Sequence, residues 1–429
     1  MKIVIALLIF SAVILFHELG HFLLAKANHI VVTEFSLGMG PRLFSFQKGE
    51  TRYSLKALPL GGSCAMLGED TEDDQPGSFL SASVLGRISV VAAGPAFNFI
   101  LSFVLGLILV GLMGTDPACV TDVTEGSSAQ EAGLMAGDII TEYQGYHVDL
   151  AKDLYAYSYL NPLAADETIH MKVLRDGEKK EITFRPDTRS RYLLGFNRSS
   201  VDSVTVESLI EGYPLEDAGV KAGDVITGIN GVKIENGDDY EAYVSEHPLT
   251  DEPITITYER DGLEYEAEIV PAVYEYQVSG FSYNLGYEKV SGAGILKGAF
   301  LEVKYMIRST ILSLKELFTG GIGVKELSGP VGVVDAIGST FEESRKEGGL
   351  ILFVNMINIA LLISANLGVM NLLPIPALDG GRLIFLLVEL VRRKPGNREL
   401  EGSIHFAGLL LLLLLMVFIM YNDILKIIH

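Results

Sequence analysis

Residues 3–25 of this 429-residue chain are almost uninterruptedly apolar between Lys2 and Lys26, and such a run must be buried in lipid or in a large protein core. As a helix it reaches about 35 Å, enough for the roughly 30 Å hydrocarbon layer of a bilayer. Further runs lie between Arg87 and Asp116, from Leu350 to Asn371 and from Ile404 to Tyr421. The reading is a multi-pass α-helical membrane protein with four transmembrane helices. A composition of 49% hydrophobic and 20% charged residues agrees. The alternative for the N-terminus is a cleaved export signal with Ala25-Lys26-Ala27 as its processing site. Against it, His17, Glu18 and His21 break the apolar stretch; the mature N-terminus separates the two readings.

Charge is distributed in blocks. The net charge is −21, and residues 114–303 carry all of it, with 14 basic against 35 acidic residues. A chain this acidic is a poor binder of nucleic-acid phosphates, so no nucleic-acid partner is expected. Between the third and fourth runs, Arg382, Arg392, Arg393, Lys394 and Arg398 crowd a short segment, which should face the cytoplasm. Alternation then places residues 26–86 on the cytoplasmic side and the acidic block outside. The two cysteines, Cys64 and Cys119, fall on opposite faces and should not pair.

The acidic block contains a repeat. Gly126-Ser-Ser-Ala-Gln-Glu-Ala-Gly-Leu-Met-Ala-Gly-Asp-Ile-Ile-Thr returns 86 residues later as Gly212-Tyr-Pro-Leu-Glu-Asp-Ala-Gly-Val-Lys-Ala-Gly-Asp-Val-Ile-Thr. Each copy runs on into two alternating segments joined by an Arg-Asp-Gly turn, at 175–177 and at 260–262, which is hairpin chemistry. Its Ala-Gly-x-x-x-Gly-Asp-x-Ile phrase resembles the circularly permuted bacterial PDZ family. That resemblance implies two extracytoplasmic α+β domains that take extended peptides by strand addition, or that serve as spacers and steric filters. Beyond them, apolar residues at helical spacing over 295–318, with Lys297, Lys304, Arg308 and Lys315 on other faces, predict an amphipathic helix on the membrane surface or packed against protein.

The first run also carries the chemistry. On a helix, His17 and His21 of His17-Glu18-Leu19-Gly20-His21 stand one turn apart on one face, with Glu18 beside them. A single uncompensated ionisable group in a span costs on the order of 2.5–3.5 kcal/mol, so three within five positions call for a common partner. Zn²⁺ suits imidazole and carboxylate and activates water. Two histidines leave the usual site one ligand short. Asp379, in Asn371-Leu-Leu-Pro-Ile-Pro-Ala-Leu-Asp379-Gly380-Gly381-Arg382, is the candidate third ligand; the alternative is a solvated loop carboxylate. Pro374 and Pro376 should break the third helix, and irregular backbone at membrane depth reads as a pocket wall.

Together these features resemble the site-2 protease family of intramembrane zinc metalloproteases, peptidase M50, in its bacterial RseP (regulator of sigma-E protease) type. The resemblance implies His17, His21 and Asp379 as zinc ligands, Glu18 as the residue that activates water, and Asn371 as support for substrate backbone or oxyanion. It implies that Asn98, in Gly94-Pro95-Ala96-Phe97-Asn98, faces the site; a helix-packing role is the alternative. It also implies that the glycine-rich hairpin over 33–68, which ends in Leu58-Pro59-Leu60-Gly61-Gly62, is a membrane-re-entrant sheet whose edge binds unwound substrate, with Gly61 and Gly62 at that edge. An ordinary cytoplasmic hairpin is the other reading.

The organisation that follows is the first span at 1–26, the cytoplasmic β region at 27–86 and the second span at 87–115. PDZ-like domains occupy 117–200 and 201–290, and the surface helix with a linker occupies 291–349. The third span is 350–373, the Pro/Gly-broken segment and cytoplasmic loop 374–403, and the fourth span 404–425. Substrates would be single-span proteins of the bacterial inner membrane, such as anti-sigma factors after a first cut or remnant signal peptides, reached through the lipid bilayer. Two rivals are a scaffold holding a structural metal, which would normally need four protein ligands, and a transporter, whose ionisable residues would spread along a pathway. His29, His147, His170, His247, His405 and His429 show no ligand spacing and read as surface or packing residues.

Overall fold

The computed structural model describes residues 2–428 apart from 70–74, 199, 285, 322, 324–326 and 395; His429 lies outside the described residues. From the N-terminus, α1 (Lys2–Ala27) is followed by β1 (Val32–Lys48), β2 (Thr51–Met66) and α2 (Val84–Met113). The acidic block opens with β3 (Val120–Val123), α3 (Ser128–Glu131), β4 (Ile139–Tyr143), β5 (Tyr146–His147) and α4 (Ala151–Leu160). It continues with β6 (Ile169–Arg175), β7 (Glu178–Phe184), β8 (Asp187–Leu193), β9 (Phe196–Arg198) and β10 (Val206–Leu209). Next come α5 (Pro214–Asp217), β11 (Val225–Ile229), β12 (Val232–Lys233), α6 (Gly237–Glu246), β13 (Ile254–Arg260), β14 (Leu263–Ile269), β15 (Ala272–Val278) and β16 (Phe281–Tyr283). The chain ends in α7 (Ala293–Thr319), α8 (Pro330–Glu347), α9 (Gly349–Leu372), α10 (Asp379–Arg392) and α11 (Arg398–Ile428).

Two compact units result. One comprises Met1–Ala118, Val148–Leu160 and Asn284–His429, the other Cys119–His147 and Asn161–Tyr283. In the first, α1, α2, α9 and α11 are each long and apolar enough to span a membrane. α2 is the hub, touching α1, α7, α9 and α10. Glycines allow close approach: a Cβ on Gly20 would stand 2.4 Å from the Ala93 carbonyl oxygen, so the α1 and α2 backbones meet there without a side chain between them. Outside the spans, α4 is held to α7 by charge. Lys152 reaches the fully buried Glu302 at 2.7 Å, and Lys304 reaches Asp149 at 2.6 Å.

The β region is more elaborate than a hairpin. Residues 42–48 pair with 51–56 across the Lys48-Gly49 turn, and the start of β1 pairs on both sides, Phe35 opposite Tyr53 and also opposite Cys64. Two long bent strands thus make a four-row sheet, with 62–66 as one outer row and 42–48 as the other. Met39, Leu43, Phe44, Phe46 and Leu58 leave it with an exposed apolar surface.

In the second unit the repeat is structural. Sheets run β5-β4-β6-β7 and β12-β11-β13-β14, and the ladder slips between Ile140 and Glu142 in one and between Ile226 and Gly228 in the other. Asp176-Gly177 and Asp261-Gly262 close two-residue turns with positive φ at both central residues, as the Arg-Asp-Gly phrases predict. The repeated aspartates meet the repeated arginines: Arg175 holds Asp138, and Arg260 holds Asp224, each through two contacts of 2.6–2.7 Å.

Two stretches depart from expectation. The segment read as linker after the amphipathic helix forms α8, started by Pro330 in its first turn. The segment read as a broken loop forms α10, which begins at Asp379.

Candidate metal centre

The residues of α1 that are buried, Val13, His17, Gly20 and His21 among them, share the face that meets α2. That places both imidazoles against a neighbouring backbone. The His21 ring is fixed by a hydrogen bond between Nδ1 and the Val90 carbonyl oxygen at 2.9 Å, which leaves Nε2 to face His17 Nε2. Gly94 makes the space: a Cβ there would lie 2.3 Å from His21 Nε2 and 2.6 Å from His17 Cε1.

Asp379 arrives from the other end of the chain. After α9 stops at Leu372, Pro374 and Pro376 keep the backbone out of helix until Asp379 opens α10. The turn is tight, since a Cβ on Gly380 would stand 2.1 Å from the Leu373 carbonyl oxygen. Ala377 adopts φ 75°, a conformation disfavoured for any residue with a Cβ, and donates its N–H to His405 Nδ1 of α11 at 2.8 Å. Glu389, further along α10, accepts from the two terminal nitrogens of Arg87 on α2, at 2.7 and 3.1 Å.

Three side-chain atoms therefore converge. His17 Nε2 and His21 Nε2 are 3.2 Å apart, and Asp379 Oδ2 lies 3.2 Å from the first and 3.5 Å from the second. That oxygen is buried and makes no hydrogen bond among the described residues. Ligand atoms on a tetrahedral zinc with bonds of about 2.0–2.1 Å are separated by roughly 3.3 Å, so the triangle has the dimensions of one face of such a site. These are the His, Cys, Asp or Glu side chains that the fold brings to metal-ligating distance among the described residues.

Of the remaining candidates, Glu18 and Asn98 lie beside this triangle. Glu18 is partly buried on α1, its carboxylate accepting from the Cys64 backbone and its Cγ 3.0 Å from where a Cβ on Gly62 would be. Gly62 thus begins the outer row of the β sheet next to Glu18, and Gly61, with φ 86°, lies just before that row against Met39. Asn371 is in the last turn of α9 and partly buried. Asn98, expected to face substrate, is fully buried, with its amide nitrogen 3.1 Å from His17 Nδ1.

Sequence reasoning missed three supports. Arg87 reads as a flanking positive charge and is a buried clamp on α10. His405 reads as surface or packing and binds the strained backbone before Asp379. Gly94 lies inside a recognised phrase, but a missing side chain gives no sign that its role is to leave room.

The profile of Peptidase family M50 matches residues 5–415. The zinc metalloprotease RasP of Geobacillus kaustophilus is 30% identical over 99% of this chain and 98% of its own length. RasP of Shouchella clausii is 32% identical over 97% of each. The regulator of sigma-W protease RasP of Bacillus subtilis is 30% identical, also over 97% of each. Among solved structures, the PDZ domain of HtrA3 with a phage-derived ligand aligns to 21% of this chain and 93% of that one at 16% identity, with a TM-score of 0.18 that is too low to bear on the fold. A match over nearly the whole chain, to a family whose chemistry the converging imidazoles and carboxylate can perform, gives the conclusion: this protein belongs to peptidase family M50 and is a zinc metalloprotease.

Proposed function

We propose that the protein hydrolyses peptide bonds within the transmembrane segments of single-span membrane proteins, with His17, His21 and Asp379 holding the zinc. The observation that carries this is position. His17 and His21 belong to α1, a helix whose most apolar 18 residues have mean hydropathy 2.4, and lie about 8–14 Å from its Lys26 end, so the triangle is below a lipid surface and not at it. The basic residues Arg392, Arg393, Lys394 and Arg398 around the junction of α10 and α11 support a cytoplasmic location for that end in a bacterial membrane, with the acidic block outside.

Zinc, when bound, acidifies water and polarises a carbonyl. The chain supplies the rest. Glu18 stands beside the ligand pair, where it takes the proton of the attacking water and then delivers it to the leaving amide nitrogen. To Asn371, in the last turn of α9, we assign the support of the charge that develops on the carbonyl oxygen. A helical substrate hides its amides, so it must be extended first; the outer sheet row that begins at Gly62, against Glu18 and preceded by Gly61, offers backbone partners for such a strand. The repeats at 117–200 and 201–290 are PDZ-like domains that screen external regions or take peptides. Substrates are then proteins already trimmed outside, such as anti-sigma factors after a first cut, or remnant signal peptides.

The test is Glu18→Gln. The variant should keep its fold and its zinc and leave a co-expressed, externally trimmed single-span protein intact, whereas the parent cuts it and loses that activity to a chelator. Cleavage by the Gln variant would end the proposal.

A further inference from the structure

An imidazole that binds a metal through Nε2 must carry its proton on Nδ1, and the hydrogen bond made by Nδ1 decides whether it does. His21 has its partner in the Val90 carbonyl oxygen, which can only accept. For His17 the group at Nδ1 is the Asn98 amide, 3.1 Å away. Resting on the zinc site proposed above, we propose that Asn98 is the positioning residue of His17: its side-chain oxygen accepts the His17 Nδ1 proton and leaves the Nε2 lone pair for the metal.

Three observations lead there. Asn98 is 0% exposed, so substrate has no access to it. Its backbone is anchored twice, the Asn98 carbonyl oxygen accepting from Ser102 Oγ and from Ser364 Oγ of α9, both at 2.8 Å. Its main chain is therefore fixed against both α2 and α9, which sets where the side chain meets His17. With the amide nitrogen toward His17, Asn98 Oδ1 is buried without a hydrogen bond, and the proton on His17 would have to occupy Nε2, between His21 and Asp379. Amide oxygen and nitrogen are interchangeable in shape, and the network decides which one faces a partner. Turning the amide over gives the stranded oxygen the His17 Nδ1 proton and frees Nε2.

The proposal separates two substitutions in an order that packing alone reverses. Asn98→Asp keeps an acceptor against Nδ1, the carboxylate–histidine arrangement common around zinc; Asn98→Leu fills the same space and offers none. The full chain, purified in detergent, is stripped and titrated with zinc against a competing chelator, and the visible absorption of its cobalt form is recorded. The expected result is a loss of zinc affinity of about 10- to 100-fold in Asn98→Leu with altered cobalt bands, and near-parental affinity and bands in Asn98→Asp. A merely structural asparagine would tolerate leucine and suffer from a buried carboxylate. Parental affinity in Asn98→Leu, or equal losses in both variants, overturns the proposal. His17→Ala run alongside must lose the zinc; retention there would overturn the His17 site itself and this inference with it.

Discussion

Gly94→Ala adds one methyl group at the point where α2 faces both imidazoles. The added carbon would lie 2.3 Å from His21 Nε2 and 2.6 Å from the Cε1 atoms of both rings. Comfortable contact begins near about 3.5 Å, so rings or helix must give way by about 1 Å. A zinc site tolerates errors of only about 0.2 Å in its ligand distances. Stability responds much less, because overpacking costs about 1–3 kcal/mol while replacing a mid-helix glycine by alanine returns about 1 kcal/mol. The variant should therefore fold with a melting temperature a few degrees from the parent's, yet bind zinc at least about 100-fold more weakly, beyond the range seen for losing a supporting partner alone. Gly111→Ala in the same helix, where a Cβ meets nothing within 4 Å, is the control and should keep both properties. Zinc per protein by elemental analysis, chelator competition and a thermal melt read the outcome. A folded Gly94→Ala chain with parental zinc affinity would refute the placement of the ion between these rings.

Asp379→Asn should lower zinc content per protein, and unchanged content would remove Asp379 from the site. In the acidic unit, burial pushes Asp138 up but the Arg175 hydrogen bonds outweigh it, and Arg260 holds Asp224 down against burial, so both carboxyls titrate below their ordinary range. Groups with depressed values stabilise the fold above about pH 4 and lose that contribution as the pH falls below it toward their folded values. Arg175→Met or Arg260→Met should cost about 2–3 kcal/mol in urea unfolding, below the 3–5 of a fully buried pair because each arginine is partly exposed, and should move acid unfolding to higher pH. Between α4 and α7, Lys152→Met strands the buried Glu302, whose carboxyl burial already pushes up, and should lower the melting temperature more than the double variant Lys152→Met/Glu302→Leu. Equal melting temperatures would show that the pair contributes nothing there.

What was legible in the sequence was local. Apolar length marks α1, α2, α9 and α11, since each backbone closes its own hydrogen bonds, and Asp-Gly pairs mark the hairpin turns because few residues accept positive φ at both central positions. Non-local pairings were not legible. The turn at Lys48-Gly49 announces 42–48 against 51–56, but nothing nearby announces that Phe35 pairs with both Tyr53 and Cys64. α10 was hidden by its own start signals: Pro374, Pro376, Gly380 and Gly381 read as breakers, and they are what bends the chain so that Asp379 can open a helix. The triangle itself was foreseeable from residue types, whereas its supports, Arg87 with Glu389 and His405 with Ala377, depend on which helix packs on which.

Those supports fall on one line. Arg87, Val90, Gly94 and Asn98 occupy positions i, i+3, i+7 and i+11 of α2, a single stripe of a helix. Arg87 clamps α10 behind Asp379, Val90 orients His21, Gly94 clears the space between the rings and Asn98 meets His17. Pro95 on the same helix removes the donor that would otherwise bond the Val91 carbonyl, loosening the turn that carries Val90 and Gly94. α2 provides no ligand, yet it touches the surroundings of all three. An α1 of almost even hydrophobicity has little to fix its rotation about its own axis, and the two histidines cannot find each other and a distant aspartate by apolar packing alone. A rigid neighbour with a polar stripe supplies the missing specificity. The second span is therefore the template on which the first span and α10 are brought into register, and substitutions along its stripe should damage metal binding more than fold, in contrast to equally buried substitutions on its other faces.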